Sequence, residues 1–339
     1  MLTRGLPYDA EDHSAIKGAA LPLSVPPPPA AVAPAPPASS DLEAALLEAF
    51  DWGRPLPPGP KLSGTAARED RWLRAAATFD PARDLPADPF PAGAPRQEAE
   101  ALRRLLRTSG DRLARALATQ PLRHTGTALA LWRWGRLQVR SGAFPPSLRR
   151  AWEDCLLSGG PGLTRGYALR HALCWALADQ DEARFAALRP KAQGQADDTL
   201  RGFQRLFGVL GGPSPELRLW RLPGLEYRDL RLDQLGARRV WICPVQEGPL
   251  PDLPAKVAWI IPSLAGGLGE RDASLAGEAL IEGHDLAERL RTAGRAAQFA
   301  PSRVAFERLG LAWFPALIEL DASGRVQAIR MGDAAPERP

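Results

Sequence analysis

The spacing of apolar residues along the chain changes near residue 212 from a helical pattern to a strand pattern. Over 96–210, leucines recur at three- and four-residue intervals, and Gly, Pro or Asp occupies each break. This pattern predicts a set of helices joined by short turns. Beyond that point, short apolar runs predict strands, and the run Val257–Ile261 is typical of a buried central strand. Two further helical segments are predicted, over 273–281 and 285–293.

The first 95 residues show much less periodicity. Residues 1–40 combine Pro, Ala and Val with almost no charge, which favours extended polyproline II over a packed core. This stretch is predicted to be a disordered spacer or a docking strip for an aromatic-lined groove. Asp41 is a good N-cap and is predicted to open a short amphipathic helix, followed by a Pro-rich linker to residue 95. The apolar face of that helix would contain Leu42, Ala45, Leu46 and Phe50, and a second short helix is predicted over 71–79.

Charge and composition narrow the classes of partner. The formal charge is +4, from 43 Lys and Arg against 39 Asp and Glu. Basic and acidic residues alternate along the predicted helices, which indicates solvated helix faces, and no basic block typical of nucleic-acid binding occurs. No run of about 18 apolar residues predicts a transmembrane helix. The first ten residues lack the pattern of a signal peptide, so a cytoplasmic location is the default expectation.

The spacing of cysteines and histidines predicts no disulfide framework and no cofactor. Three cysteines cannot build a tetrahedral zinc site unaided, and the four histidines are scattered. Cys155 and Cys174 lie on successive predicted helices, as small core residues or, in the alternative interpretation, as a redox pair. Trp132 and Trp175 in the same region are predicted either to fill the core or to line an aromatic groove that binds peptides.

Two parts of the chain resemble known families. Residues 168–183 combine small and apolar residues with the acidic turn Asp179-Gln180-Asp181, and they resemble one unit of a tetratricopeptide-like repeat. Near the C-terminus, Phe314-Pro315 leads into an apolar run and then into Asp321-Ala322-Ser323-Gly324. This order resembles the end of a thioredoxin-like domain, of the cytochrome-maturation and peroxiredoxin-like branch. The resemblance implies that Pro315 is cis and starts a strand, and that the Asp-x-x-Gly turn joins it to a final antiparallel strand.

The front of the same region carries the resemblance too, over Leu230–Gly236 and Val240–Val245. In the relatives, the second of these strands leads into a Cys-x-x-Cys pair at a helix N-terminus, which stabilises a thiolate. Gly248-Pro249-Leu250-Pro251 stands at the matching positions, so the redox pair is missing and the prolines predict a loop. Cys243 falls in the strand itself and is expected to be buried and unreactive.

Together these patterns predict an α+β multidomain protein, with an all-α domain of helical hairpins followed by a degenerate thioredoxin-like α/β domain. The predicted function is a non-catalytic protein-binding or scaffold protein whose partner is another protein or a peptide segment. The alternatives are a one-cysteine thiol oxidoreductase or peroxidase using Cys243, and a helical adaptor capped by the C-terminal domain. The predicted segments are 1–40, 41–95, 96–212, 213–333 and a tail over 334–339. The candidate binding residues are Trp313, Phe314 and Pro315 near the C-terminus, with Trp132 and Trp175 in the helical region.

Overall fold

The structure is a computed structural model. It describes residues 42–47, 64–82, 94–142, 144–159, 163–192, 197–224, 226–245, 250, 253–254, 256–263, 273–300, 306, 309–311 and 314–335. The first predicted segment, 1–40, and the residues matching the missing cysteine pair at 248, 249 and 251 therefore lie outside the described residues.

The predicted helical region consists of helices that pack closely on one another. A short helix, α1, covers residues 42–47. The helices that follow are α2 (Gly64–Ala77), α3 (Ala94–Leu106), α4 (Gly110–Thr119), α5 (Thr125–Arg140), α6 (Pro146–Gly159), α7 (Thr164–Ala178), α8 (Glu182–Leu188) and α9 (Asp197–Val209). The helix predicted over 71–79 begins earlier, since α2 starts at Gly64.

Helix α5 is the central helix of this layer. Ten of its residues are buried, and it contacts α2, α3, α6 and α7. Gly135 of α5 allows the indole of Trp152 on α6 to approach, because a Cβ atom at Gly135 would lie 2.1 Å from that ring. The absence of a side chain at this position therefore sets how closely α5 and α6 pack.

The buried face of α1 differs from the predicted one. Leu42 and Leu46 are buried as expected, and Ala45 is half-buried, whereas Glu43 and Leu47 are also buried. Phe50 lies outside the described residues. A buried glutamate in an apolar stripe needs a partner for its charge, and that partner is described below.

The strands form one mixed sheet of seven strands with the order β2-β1-β5-β4-β3-β6-β7. Strands β3, β4 and β5 are parallel neighbours, and the remaining neighbouring pairs are antiparallel. The strands are β1 (Glu216–Leu222), β2 (Glu226–Arg231), β3 (Arg239–Ile242), β4 (Val257–Pro262), β5 (Ala297–Ala300), β6 (Ala316–Leu320) and β7 (Val326–Met331).

One face of the sheet packs against the helical layer and the other packs against α10 (Ala273–Thr292). Leu286 of α10 belongs to the same core cluster as Trp241 and Phe299, and so does Val245, which follows β3. The connections from β3 to β4 and from β4 to β5 therefore both pack on this face. The first connection spans only 243–256, and its residue Leu253 also packs against this cluster.

The prediction of two separate helical segments over 273–281 and 285–293 is wrong, because α10 is one helix that is continuous through Gly283. A Cβ atom on Gly283 would lie 3.1 Å from ring atoms of Phe299 and Trp220. This glycine serves close packing of the helix on the sheet and does not end the helix.

The protein is therefore an α+β protein, in which the predicted boundary at 212/213 falls between the last helix of the layer and the first strand. Helices and strands contribute to one continuous hydrophobic core. Val326 of β7 exchanges two backbone hydrogen bonds with the segment that enters the sheet, since Gly211 N donates to Val326 O at 2.8 Å and Val326 N donates to Gly212 O at 3.0 Å. The division into two domains stays a prediction.

Candidate binding site at the edge of the sheet

Cys243 and Pro315 are brought together at one edge of the sheet. Strand β3 pairs with β6 antiparallel, and Ile242 stands opposite Ala316. The next position in this register places Cys243, just after β3, opposite Pro315, just before β6. We call this position, formed by Cys243, Phe314 and Pro315, the Cys243–Pro315 edge. It lies at the end of β3, between its parallel neighbour β4 and its antiparallel neighbour β6.

The Cys243 thiol is held in a desolvated position. Its backbone N–H donates to Ile260 O at 3.1 Å, so the ladder with β4 continues one residue beyond β3. Its Sγ donates to Pro244 O at 3.4 Å, and the Trp259 indole donates to Cys243 O at 3.4 Å. Burial raises the pKa of the Cys243 thiol to about 11. The side chain is half-buried, and the thiol is protonated at neutral pH.

Native Cys243 is expected to react slowly with iodoacetamide. A thiol with a pKa of about 11, against the ordinary 9.0, has about a hundredfold less thiolate near pH 7. Peptide mapping by mass spectrometry after timed labelling would measure this, with the same chain in urea as the control. The native rate should rise steeply between pH 8 and pH 11. Equal rates in buffer and in urea at neutral pH would contradict the assignment.

Phe314 and Pro315 are the other two residues of the edge, and both are half-buried. The peptide between them is cis, as the resemblance implied. The Phe314 ring packs edge to face on Phe306, with centroids 5.6 Å apart, and Pro315 O accepts from Gly332 N at 2.8 Å. The aromatic ring therefore has one side fixed by the core and a remaining exposed part. Trp313 lies outside the described residues.

The segment before Phe314 rests on the helical layer. Gly310 has φ +88°, and a Cβ atom on it would lie 2.1 Å from Gly202 O of α9. Leu311 N donates to Phe306 O at 2.8 Å, which closes the turn around Gly310. Helix α9 thus contacts the backbone just upstream of the Cys243–Pro315 edge, and the position of the edge depends on the packing of that helix.

The two tryptophans predicted for a groove lie elsewhere, one buried in the core and the other half-buried. Trp132 is fully buried and stacks on Trp152 with centroids 5.1 Å apart. Trp175 is half-buried, its indole N–H donates to His171 Nε2 at 3.1 Å, and the Arg149 guanidinium lies 3.8 Å from its ring centroid. Trp132 therefore acts as a core residue, and the ring of Trp175 already has a cation on one face.

A buried network centred on Glu153, which the sequence pattern did not indicate, joins α6, α7 and α8. Glu153 is 1% exposed, and its Oε1 lies 3.1 Å from Nδ1 of His171. Its other oxygen, Oε2, accepts from Arg184 Nη2 at 3.2 Å. Because Nε2 of His171 accepts the proton of Trp175, the imidazole proton sits on Nδ1 and is donated to Glu153. Arg149, four residues earlier on α6, lies 3.8 Å from Glu153 and completes the network.

The other two cysteines offer no reactive thiol. Cys155 and Cys174 are buried and carry no disulfide, and both belong to the hydrophobic core. Burial, and next the charge of Glu98, raise the pKa of Cys155 to about 12. These environments are those of small core residues, as one of the two interpretations expected.

Among the residues that the structure describes, no group of three or more His, Cys, Asp or Glu side chains is placed to hold a metal ion. No described helix is long and apolar enough to cross a membrane. Comparison with protein-family models, with curated proteins and with solved structures found no match.

Proposed function

We propose that this protein is a non-catalytic protein-binding module, built from a helical layer and a thioredoxin-like domain without redox activity. The observation that carries the proposal is the state of Cys243. A thiol stands at the edge where the relatives have a redox pair nearby, and its pKa of about 11 keeps it protonated.

The thioredoxin-like part of the proposal is supported by the order of elements after Pro315. Strand β6 begins at the next residue, the turn Asp321–Gly324 follows, and β7 returns antiparallel. Asp321 closes this turn by accepting from Ser323 N at 2.8 Å and Arg325 N at 3.0 Å. The Ser323 hydroxyl also donates to Asp321 at 2.8 Å. This hydrogen bond first, and next that from Arg325 N, lower the pKa of Asp321, so the turn keeps its charged cap at neutral pH.

The proposed ligand is an extended peptide segment that lies against the Cys243–Pro315 edge. The edge combines a half-buried aromatic ring, a proline and a protonated thiol, and in active relatives an extended substrate lies along the same loop. Apolar contacts of this kind suit a peptide with hydrophobic side chains, and no charged group of the edge has to be desolvated.

A one-cysteine oxidoreductase or peroxidase is the competing function. Such an enzyme needs a thiolate, which requires a cationic or helix-terminal neighbour that lowers the thiol pKa. Around Cys243, burial acts in the opposite direction. The geometry therefore favours binding over thiol chemistry.

Selection of linear peptides displayed on phage against the full chain would test the proposal. The selected peptides are expected to bind at least tenfold more weakly to the Phe314→Ala variant. Ile281→Ala is the matched control, because Ile281 is an exposed apolar residue, 65% accessible, on α10. Peptides that bind wild type and Phe314→Ala equally, or a selection that yields no peptide, would count against the edge as the binding site.

A further inference from the structure

Helix α1 presents a stripe in which a carboxylate stands among leucines. Leu42, Leu46 and Leu47 are 5%, 0% and 0% exposed, and Glu43 is 4% exposed. These positions share one helix face, because residues three and four apart are neighbours on a helix. A carboxylate buried with three leucines is costly unless specific donors meet it.

The donors come from the first residue of α7. Glu43 Oε1 accepts from the backbone N–H of Thr164 at 3.1 Å and from the Thr164 hydroxyl at 2.8 Å. Leu163, the N-cap residue of α7, makes no side-chain cap of its own. Glu43, from a distant segment of the chain, therefore caps the N-terminus of α7 in place of the N-cap side chain. It also places a negative charge at the positive end of the helix dipole.

A related contact occurs elsewhere in the described part of the helical layer, on residues that precede a helix. Glu98 of α3 accepts from the backbone N–H of Arg123 at 3.1 Å and from that of His124, the N-cap residue of α5, at 3.2 Å. Helix α3 has thirteen residues and also contacts α4 and α5. Glu98 thus belongs to a helix that is integrated in the layer.

Helix α1, in contrast, lies between two segments whose composition predicts no helix packed beside it. The sequence pattern predicts that α1 ends before Gly53, and isolated helices shorter than about 12 residues are marginal in water. The sequence before it is rich in Pro and Ala, and residues 48–63 after it contain four prolines and two glycines, a composition typical of linkers. The contacts of its buried face are therefore what holds α1 in place.

We propose that the start of α7 is a docking socket for a short helix of the pattern Leu-Glu-x-x-Leu-Leu, and that a partner helix with this pattern can replace α1. The socket consists of the Thr164 N–H and hydroxyl, with the apolar surface that the three leucines of α1 cover. The carboxylate fixes the position and direction of the helix, and the leucines supply the buried area. This proposal does not depend on the Cys243–Pro315 edge.

Exchange of α1 can be measured in the full chain. A protease site is placed within residues 52–60, the chain is cut there, and a labelled peptide with the sequence of residues 39–50 is added. The cut chain is expected to bind the peptide and to release its own N-terminal fragment. The uncut chain should bind at least tenfold more weakly, because tethered α1 competes at a high effective concentration. Anisotropy and size-exclusion chromatography report the two events.

Peptide variants test the chemistry of the socket. Glu43→Gln and Leu46→Asp peptides are each expected to bind at least tenfold more weakly than the parent. Equal affinity of the Glu43→Gln peptide, or no uptake of the parent by a folded cut chain, would overturn the proposal. Should cutting unfold the chain, the uncut Glu43→Gln protein replaces it: the parent peptide should bind this variant at least tenfold more tightly than uncut wild type, and equal binding would refute exchange.

Discussion

Replacing Glu153 by leucine is expected to lower the free energy of unfolding of the full chain by about 3–5 kcal/mol. The carboxylate is buried and accepts from Arg184, and His171 donates to it. Removal takes away the acceptor of the buried His171 N–H. It also takes one anion from each arginine, although Arg149 keeps Asp179 and Arg184 keeps Asp154. Urea denaturation followed by circular dichroism measures the change.

Two control variants separate the buried charge from general effects. Glu153→Gln keeps an acceptor oxygen and the shape of the side chain, so its loss should be smaller than that of the leucine variant. Glu288→Ala breaks an exposed pair with Arg291, in which the side chains are 68% and 60% accessible, and should change stability by less than about 0.5 kcal/mol. A loss below about 1 kcal/mol for Glu153→Leu would show that the network does not stabilise the helical layer.

Gly310→Ala is expected to destabilise the protein by about 3 kcal/mol, from a left-handed backbone and from overpacking. The glycine has φ +88°, and its Cβ atom would lie 2.1 Å from Gly202 O. The new methyl group would push α9 away from the segment that leads to Phe314. Peptide binding at the Cys243–Pro315 edge should therefore weaken in the variant.

Gly294→Ala is the matched control for this substitution. Gly294 also has a positive φ, +63°, but nothing lies within 4 Å of the position of its Cβ atom. The free energy of unfolding of this variant should fall by about 1–2 kcal/mol, because only the left-handed backbone opposes the new side chain. Thermal unfolding of both variants gives the comparison. Equal losses would mean that the contact between Gly310 and Gly202 contributes nothing to stability.

Periodicity predicted the helices and strands where local signals and packing agree. Leucines at four-residue spacing, such as Leu113 and Leu117 of α4, are buried as the pattern required. The run Val257–Ile261 lies in β4, which has neighbours on both sides. In these elements the local preference of the chain and the demand of the core coincide.

The prediction failed at residues whose role is a contact with another helix or strand and not the local structure of their own helix. Gly283 carries the local signal of a helix break, yet it allows α10 to approach Phe299. Glu43 carries the signal of a surface residue, yet it caps a helix more than a hundred residues away. Spacing along the chain cannot report such contacts, because they depend on which elements the fold brings together.

The candidate site was predictable in part. The sequence order around Pro315 indicated the start of β6. Cys243 was expected to lie buried within a strand, whereas it follows the last residue of β3 and is half-buried. That Cys243 stands opposite Pro315 depends on the register between β3 and β6, which the sequence does not reveal. The sequence did not predict the network around Glu153, because Arg149 and Glu153 are four residues apart, which is the ordinary spacing of a surface ion pair.

The most direct test of a non-catalytic role is turnover by the purified full chain. Insulin reduction with dithiothreitol and the consumption of hydrogen peroxide would be measured for wild type and for Cys243→Ser in parallel. Both proteins are expected to give rates equal to the buffer blank, because Cys243 is protonated at neutral pH. Activity in wild type that disappears in Cys243→Ser would contradict it and would establish a one-cysteine redox enzyme.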